Sequence, residues 1–182
     1  MEIIETNIPD LLIIEPKVFG DERGFLIESW NRQTFADAGL DLTFVQDNHS
    51  RSQQGILRGL HYQIKHPQGK LVRVTLGSVY DVAVDLRKSS PTFGEWLGLE
   101  LSEANHRMLW IPPGFAHGFY VTSAVADFMY KCTEIYAPEY ERTIRWDDET
   151  LAIDWPLVDG REPLLSAKDT RGTAFKNAEV FA

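Results

Sequence analysis

The sequence predicts an all-β fold, a sandwich or barrel of short strands with a few short helices at its periphery. Three features carry that expectation. Apolar residues recur in short runs with strand-like alternation, turn residues interrupt those runs at close intervals, and one segment alone carries both start and stop signals for a helix. That helix is expected over residues 32–38, with Asn31 as its N-cap and Gly39 as its stop. The strongest strand signals are residues 71–76 and 79–86, both rich in β-branched side chains and separated by Gly77-Ser78; the spacing predicts two antiparallel partners joined by a tight turn. Residues 89–94, with Pro91 and Gly94, break the pattern before further strands at 96–101, 108–111, 118–121 and 126–133. A helical turn is expected at 148–151, a surface loop at 155–163, and packing of 164–169 back onto the barrel.

Length and composition bound the function. The chain has 182 residues, 43% of them hydrophobic, enough for one substantial core and too few for two, so residues 1–182 read as a single domain. Eighteen basic residues against 27 acidic ones give a net charge of −9, which disfavours a nucleic-acid partner and fits a protein that binds a small ligand. Cys132 is the sole cysteine and lies in an apolar run, so no intramolecular disulfide forms; it reads as a small core residue before it reads as a nucleophile. Glu2 and Glu5 stand where a leader would carry basic residues, and no apolar run approaches the roughly 18 residues that span a bilayer. A cytoplasmic protein without a membrane partner is the resulting expectation.

Two stretches hold the chemistry, Gly55-Ile56-Leu57-Arg58-Gly59-Leu60-His61-Tyr62-Gln63 and Ile111-Pro112-Pro113-Gly114-Phe115-Ala116-His117-Gly118-Phe119. Together they resemble the paired motifs of a cupin jelly roll, which implies a cupin-type jelly-roll barrel. Metal-binding cupins place two histidines one residue apart in the first motif, whereas Gln63 takes the second place here. His66, five residues from His61, would point to the other face of a regular strand. No metal is therefore expected. His61 remains a candidate base if a carboxylate, for which Asp169 is the candidate, holds its ring in one tautomer; a hydrogen-bonded core histidine is the competing reading.

A wider set of residues narrows this further. Phe44-Val45-Gln46-Asp47-Asn48-His49-Ser50, Arg58-Gly59-Leu60-His61-Tyr62-Gln63 and Gln68-Gly69-Lys70-Leu71-Val72-Arg73-Val74 resemble the signature of the dTDP-4-dehydrorhamnose 3,5-epimerase family. Asp21-Glu22-Arg23-Gly24-Phe25 with Glu28, the 81–87 and 90–94 segments, Tyr130-Lys131-Cys132-Thr133 and Lys168-Asp169 extend the similarity over almost the whole chain. The resemblance implies a cofactor-independent isomerase acting on a dTDP-linked 4-keto-6-deoxy sugar. Carbons 3 and 5 flank the ketone, so inversion needs a base, a cation near the carbonyl oxygen, and an acid on the opposite face.

By that resemblance His61 is the base, Asp169 orients it, Tyr130 is the acid and Lys70 stabilises the enolate. Arg23 and Arg58 serve the diphosphate, for which a guanidinium fork is suited. Glu28, Gln46, Asp47, Asn48, Glu141 and Lys168 match positions that contact nucleotide or diphosphate, Tyr136 matches an aromatic that stacks on thymine, and His117 matches one that touches sugar or diphosphate. The resemblance also implies a homodimer with exchanged N-terminal strands, for which the apolar run 11–14 is the candidate, and with Arg23 and Glu28 reaching the neighbouring pocket. A relative inverting only one carbon, a sugar-nucleotide-binding module without turnover and a metal-dependent cupin are the alternatives.

Overall fold

The computed structural model describes residues 1–182. Its strands run β1 (Glu2–Glu5), β2 (Leu12–Glu15), β3 (Val18–Asp21), β4 (Gly24–Ile27), β5 (Gln46–Gln53), β6 (Leu57–Gln63), β7 (Lys70–Leu76), β8 (Ser78–Asp85), β9 (Trp96–Ser102), β10 (Met108–Ile111), β11 (Phe115–Val121), β12 (Val125–Cys132) and β13 (Glu141–Thr143), with helix α1 (Arg32–Asp37) between β4 and β5. A six-stranded sheet is ordered β1-β2-β10-β7-β12-β5, a five-stranded sheet β13-β6-β11-β8-β9, and β3-β4 form a separate hairpin. The fold is the all-β, cupin-type jelly roll that the sequence predicts.

Alternation along the strands sorts side chains between these layers. Val72 and Val74 of β7 meet Val79, Phe119 and Phe128 in the core between the sheets. On the outer side of the five-stranded sheet, Leu57, Leu60 and Tyr120 are covered by Leu151 and Trp155, so β11 is buried along its whole length. The outer side of the six-stranded sheet is covered in part by α1, whose Phe35 packs on Leu71 and Trp110.

Helix α1 follows its sequence signals. The Asn31 side chain accepts from the backbone N–H groups of Gln33 and Thr34, and Gly39, at φ +92°, donates to the Ala36 carbonyl past the helix end. Residues 148–151 form a turn whose Asp148 carboxylate accepts from the Thr150 and Leu151 N–H groups. The 155–163 segment is no free surface loop at its start, because Trp155 is buried and donates to the Trp146 carbonyl. Residues 164–169 do return to the barrel, with Leu164 bridging Ile56.

The expected hairpin of 71–76 with 79–86 does not form. Strand β7 pairs with β10 and β12, whereas β8 pairs with β11 and β9 in the facing sheet. Gly77, at φ +73°, carries the chain from one sheet to the other, and the Ser123 hydroxyl accepts from the Ser78 N–H at the crossing. Alternation identified both strands, but it holds no information about which partner each one takes. Of the 11–14 run, β2 holds Leu12–Ile14 and pairs on both sides within its own chain, with β1 and β10.

One irregularity positions the site. Between Phe119 and His117 of β11, which oppose Arg58 and His61 of β6, the register shifts, so β6 carries one residue more than β11 over that interval. In a regular strand Arg58 and His61, three apart, would face opposite ways. The extra residue switches the phase and turns both inward. The strands approach closely here: a Cβ on Gly118 would lie 2.7 Å from the Arg58 carbonyl oxygen and 3.0 Å from the Gly59 Cα. Gly118→Ala is expected to destabilise the fold by about 1–3 kcal/mol through this overpacking. The corresponding fall in Tm, measured by calorimetry, is roughly 2–12 °C for a chain of this size.

Candidate active site

A cavity of about 310 Å³ opens between the two sheets. Strand β5 alternates regularly, so Gln46, Asn48 and Ser50 face it; β6 contributes Arg58 and His61 through the phase switch; β7, β11 and β12 add Lys70, His117 and Tyr130. Tyr136, Glu141 and Lys168 line it from the loop after β12, the edge strand β13 and the C-terminal segment. Ten of the residues expected from sequence therefore meet at one cavity. His61 and Tyr130 belong to facing sheets and share its walls.

His61 is anchored from behind. Its Nε2 lies 2.5 Å from Oδ1 of Asp169, which is buried in the 3₁₀ turn Asp169–Arg171 and takes a second hydrogen bond, 2.8 Å, from the Ser166 hydroxyl. A carboxylate only accepts, so the imidazole presents N–H to Asp169 and leaves Nδ1 as its free basic nitrogen. Burial lowers the His61 pKa against the raising effect of Asp169, and the charges of Lys168 and Lys70 act in the same direction as burial. The ring is thus neutral at pH 7. Burial works to raise the Asp169 pKa, but its bond and charge interaction with His61 outweigh that and hold it low.

Tyr130 is the complementary group. Burial, with the charges of Cys132 and Glu141, pushes its phenol up to about 12 although Arg58 opposes the shift, so the proton stays on at neutral pH. Lys70 is half-buried, and burial lowers its pKa while Cys132, Glu141 and Asp81 act to raise it. No carboxylate is bonded to its ammonium. Arg58 is likewise free of carboxylates and donates from Nε to the Ser52 hydroxyl at 3.0 Å. Three cationic side chains, Arg58, Lys70 and Lys168, face the cavity against the single carboxylate of Glu141. In a chain of net charge −9 that local excess selects an anionic ligand.

At the mouth, Glu141 accepts from the Tyr136 hydroxyl at 2.9 Å and from Lys168 at 2.7 Å. Burial would raise its pKa, but those two donors hold it below the usual carboxylate range. The Tyr136 loop is fixed by two glutamine side chains: Gln46 accepts from the Tyr136 N–H at 2.9 Å, and Gln63 accepts from the Ala137 N–H at 2.8 Å while donating to the carbonyls of Ile135 and His66. Gln63, where a metal cupin has histidine, thus shapes a loop. His66 lies exposed in the turn after β6, 3.8 Å from Glu134 and away from His61.

Four expected residues are not on the cavity wall. Asp169 stands behind His61 as described. Asp47 alternates to the outer face of β5, where it pairs with Lys131 at 2.9 Å. Arg23 sits at the β3-β4 turn, strongly exposed and bonded to Asp21, and Glu28 accepts from Asn31 and Thr34 beside α1. Neither reaches the cavity of its own chain. Sequence reasoning missed Ser50, Gln68, Phe119 and Phe128 on the walls, and Ser166 and Asp81 behind them. The alternation of Gln46, Asn48 and Ser50 is the signal that could have found Ser50 and excluded Asp47.

The family model described as dTDP-4-dehydrorhamnose 3,5-epimerase matches residues 5–177. The chain is 59% identical to the dTDP-4-dehydrorhamnose 3,5-epimerase of Pseudomonas aeruginosa over 182 residues, covering 100% of this chain and 99% of that one. The crystal structure of the Legionella pneumophila 3,5-epimerase in complex with dTDP-4-keto-L-rhamnose superposes with a TM-score of 0.94 at 55% identity, covering 98% of this chain and 94% of that chain. A 3'-monoepimerase from Streptomyces bikiniensis, in complex with dTDP-quinovose, superposes at 0.86 with 33% identity, over 93% and 85% of the two chains. With a family model spanning nearly its whole length and relatives of this identity, the chain belongs to the dTDP-4-dehydrorhamnose 3,5-epimerase family.

Proposed function

We propose that this chain converts dTDP-4-dehydro-6-deoxy-D-glucose to dTDP-4-dehydro-6-deoxy-L-mannose by inverting carbons 3 and 5. The observation that carries this is the pairing of a neutral, carboxylate-backed imidazole with a protonated phenol on facing walls of one cavity. The His61 imidazole takes the proton from a carbon beside the ketone, and Asp169 stabilises the imidazolium that forms. Charge moves onto the carbonyl oxygen, where the Lys70 ammonium stabilises it. The Tyr130 phenol then returns a proton to the opposite face, which inverts the carbon.

Arg58 and Lys168 take the diphosphate, and Tyr136 stacks on the thymine with Glu141 and Gln46 fixing its approach. His117 and Asn48 complete the walls. The whole of residues 1–182 acts as one domain, a reading supported by the C-terminal segment that delivers Asp169 to His61. The assembly is a homodimer, and the element exchanged is the β3-β4 hairpin rather than the 11–14 run. That hairpin pairs with no other strand, and its Phe25 and Leu26 are 63% and 70% exposed, an apolar surface that a second copy would cover while bringing Arg23 and Glu28 to the neighbouring cavity. No helix is long and apolar enough to cross a membrane. The lone, unpaired Cys132 supports a reducing compartment, the cytoplasm.

Proton NMR of the reaction in D2O tests the reading. Exchange at carbons 3 and 5 with formation of the L-manno product is expected. Exchange at carbon 3 alone would assign the chain to the monoepimerases, and tight binding of substrate without exchange would make it a binding module.

A further inference from the structure

We propose that Asp81 is a positioning residue for this reaction, holding the His117 ring in one tautomer and orientation on the cavity wall through one carboxylate oxygen. The inference rests on the epimerase reading above. Asp81 lies on β8 beneath the cavity floor, opposite Phe119 in register, and is fully buried. Its Oδ2 is 2.9 Å from Nε2 of His117, and its Oδ1 has no hydrogen-bond partner. A buried carboxylate with an unsatisfied oxygen is costly, and such groups persist where a nearby cation or a function compensates them.

His117 is the direct cross-strand neighbour of His61. The two imidazoles therefore stand side by side, each bonded through Nε2 to a buried carboxylate, Asp169 for one and Asp81 for the other. Because a carboxylate accepts only, His117 must present its Nε2–H to Asp81, and its Nδ1 is left free at the cavity. Asp81 thereby fixes the tautomer of a wall residue without touching the ligand itself.

Asp81→Asn separates this role from simple packing, because it keeps the shape and an acceptor for His117 while removing the charge. The expected result is a fall in kcat for D2O exchange of about 10- to 100-fold at pH 7. The Kd for dTDP should stay essentially unchanged, while nitrogen-15 NMR should show His117 no longer held as the Nε2–H tautomer alone. Asp81→Glu, which restores a carboxylate, is expected to recover that tautomer. An Asp81→Asn enzyme with wild-type kcat and an unchanged His117 tautomer overturns the proposal. Should that variant fail to fold, nitrogen-15 NMR of His117 in the wild-type protein decides: Nε2–H is expected, and the Nδ1–H tautomer overturns it. A wild-type enzyme that exchanges neither proton would instead refute the epimerase reading, so the two failures are distinct.

Discussion

His61→Ala is expected to abolish proton exchange at both carbons of the sugar while dTDP still binds within a few-fold of wild type. Removing a positioned general base costs roughly 10²–10⁴ in rate, and the upper part of that range is expected here. The ring is already neutral, its Nδ1 is free, and the buried carboxylate of Asp169 stands ready for the positive charge that develops. None of these is supplied by a water molecule in the space left by alanine. Arg58 and Lys168, the cations proposed to meet the diphosphate, are held by Ser52 and Glu141 rather than by His61, so binding of the nucleotide is expected to survive. The check is NMR in D2O at carbons 3 and 5, with calorimetric titration of dTDP. Unchanged turnover in this variant would eliminate His61 as the base.

The second large effect is expected at Lys70. Lys70→Met keeps the length and apolar packing of the side chain but removes its charge, and a loss of about 10²–10³ in kcat follows from losing a preorganised donor to the enolate oxygen. The pH profile carries the sharper signature. The proposed mechanism needs His61 without its proton, Lys70 with its proton and Tyr130 with its proton. Burial lowers the His61 pKa below 6.5, so activity persists into mildly acidic solution before the base becomes protonated. On the alkaline side, the Lys70 pKa is lowered below 10.5 whereas that of Tyr130 is raised to about 12, so the ammonium is the first of the two to lose its proton as pH rises. The wild-type alkaline limb therefore reports Lys70. In Lys70→Met that limb should disappear up to the range where Tyr130 ionises. An alkaline limb at the wild-type position in this variant would mean that another group sets it.

Much of this was legible in the residues because local rules govern it. The N-cap of Asn31, the stop at Gly39 and the bounds of β10 follow from hydrogen-bonding and periodicity within a few positions of chain. The partners of β7 and β8 did not follow, since alternation marks a strand and leaves its neighbour open. The same limit applies to the site. His61 and Asp169 were candidates from residue chemistry, but nothing local shows that they meet, because 108 positions separate them; the roles of Lys70 and Tyr130 came only from a family resemblance. Asp47 was matched to a nucleotide- or diphosphate-contacting position, whereas the alternation of β5 turns it away from this cavity, and Gln63 was read for the metal ligand it replaces, whereas its amide braces the Tyr136 loop. Asp81 carries no local signal at all: its place under His117 exists only once two strands are paired.

The proposed proton acceptor hangs from one sheet and the proposed donor from the other, and facing sheets stand roughly 10 Å apart. Across the same gap the rings of Phe119 and Phe128, one from each sheet, stack with their centroids 4.1 Å apart. Under the proposed mechanism the hand of the product depends on the spacing of the two sheets as well as on the two reacting side chains.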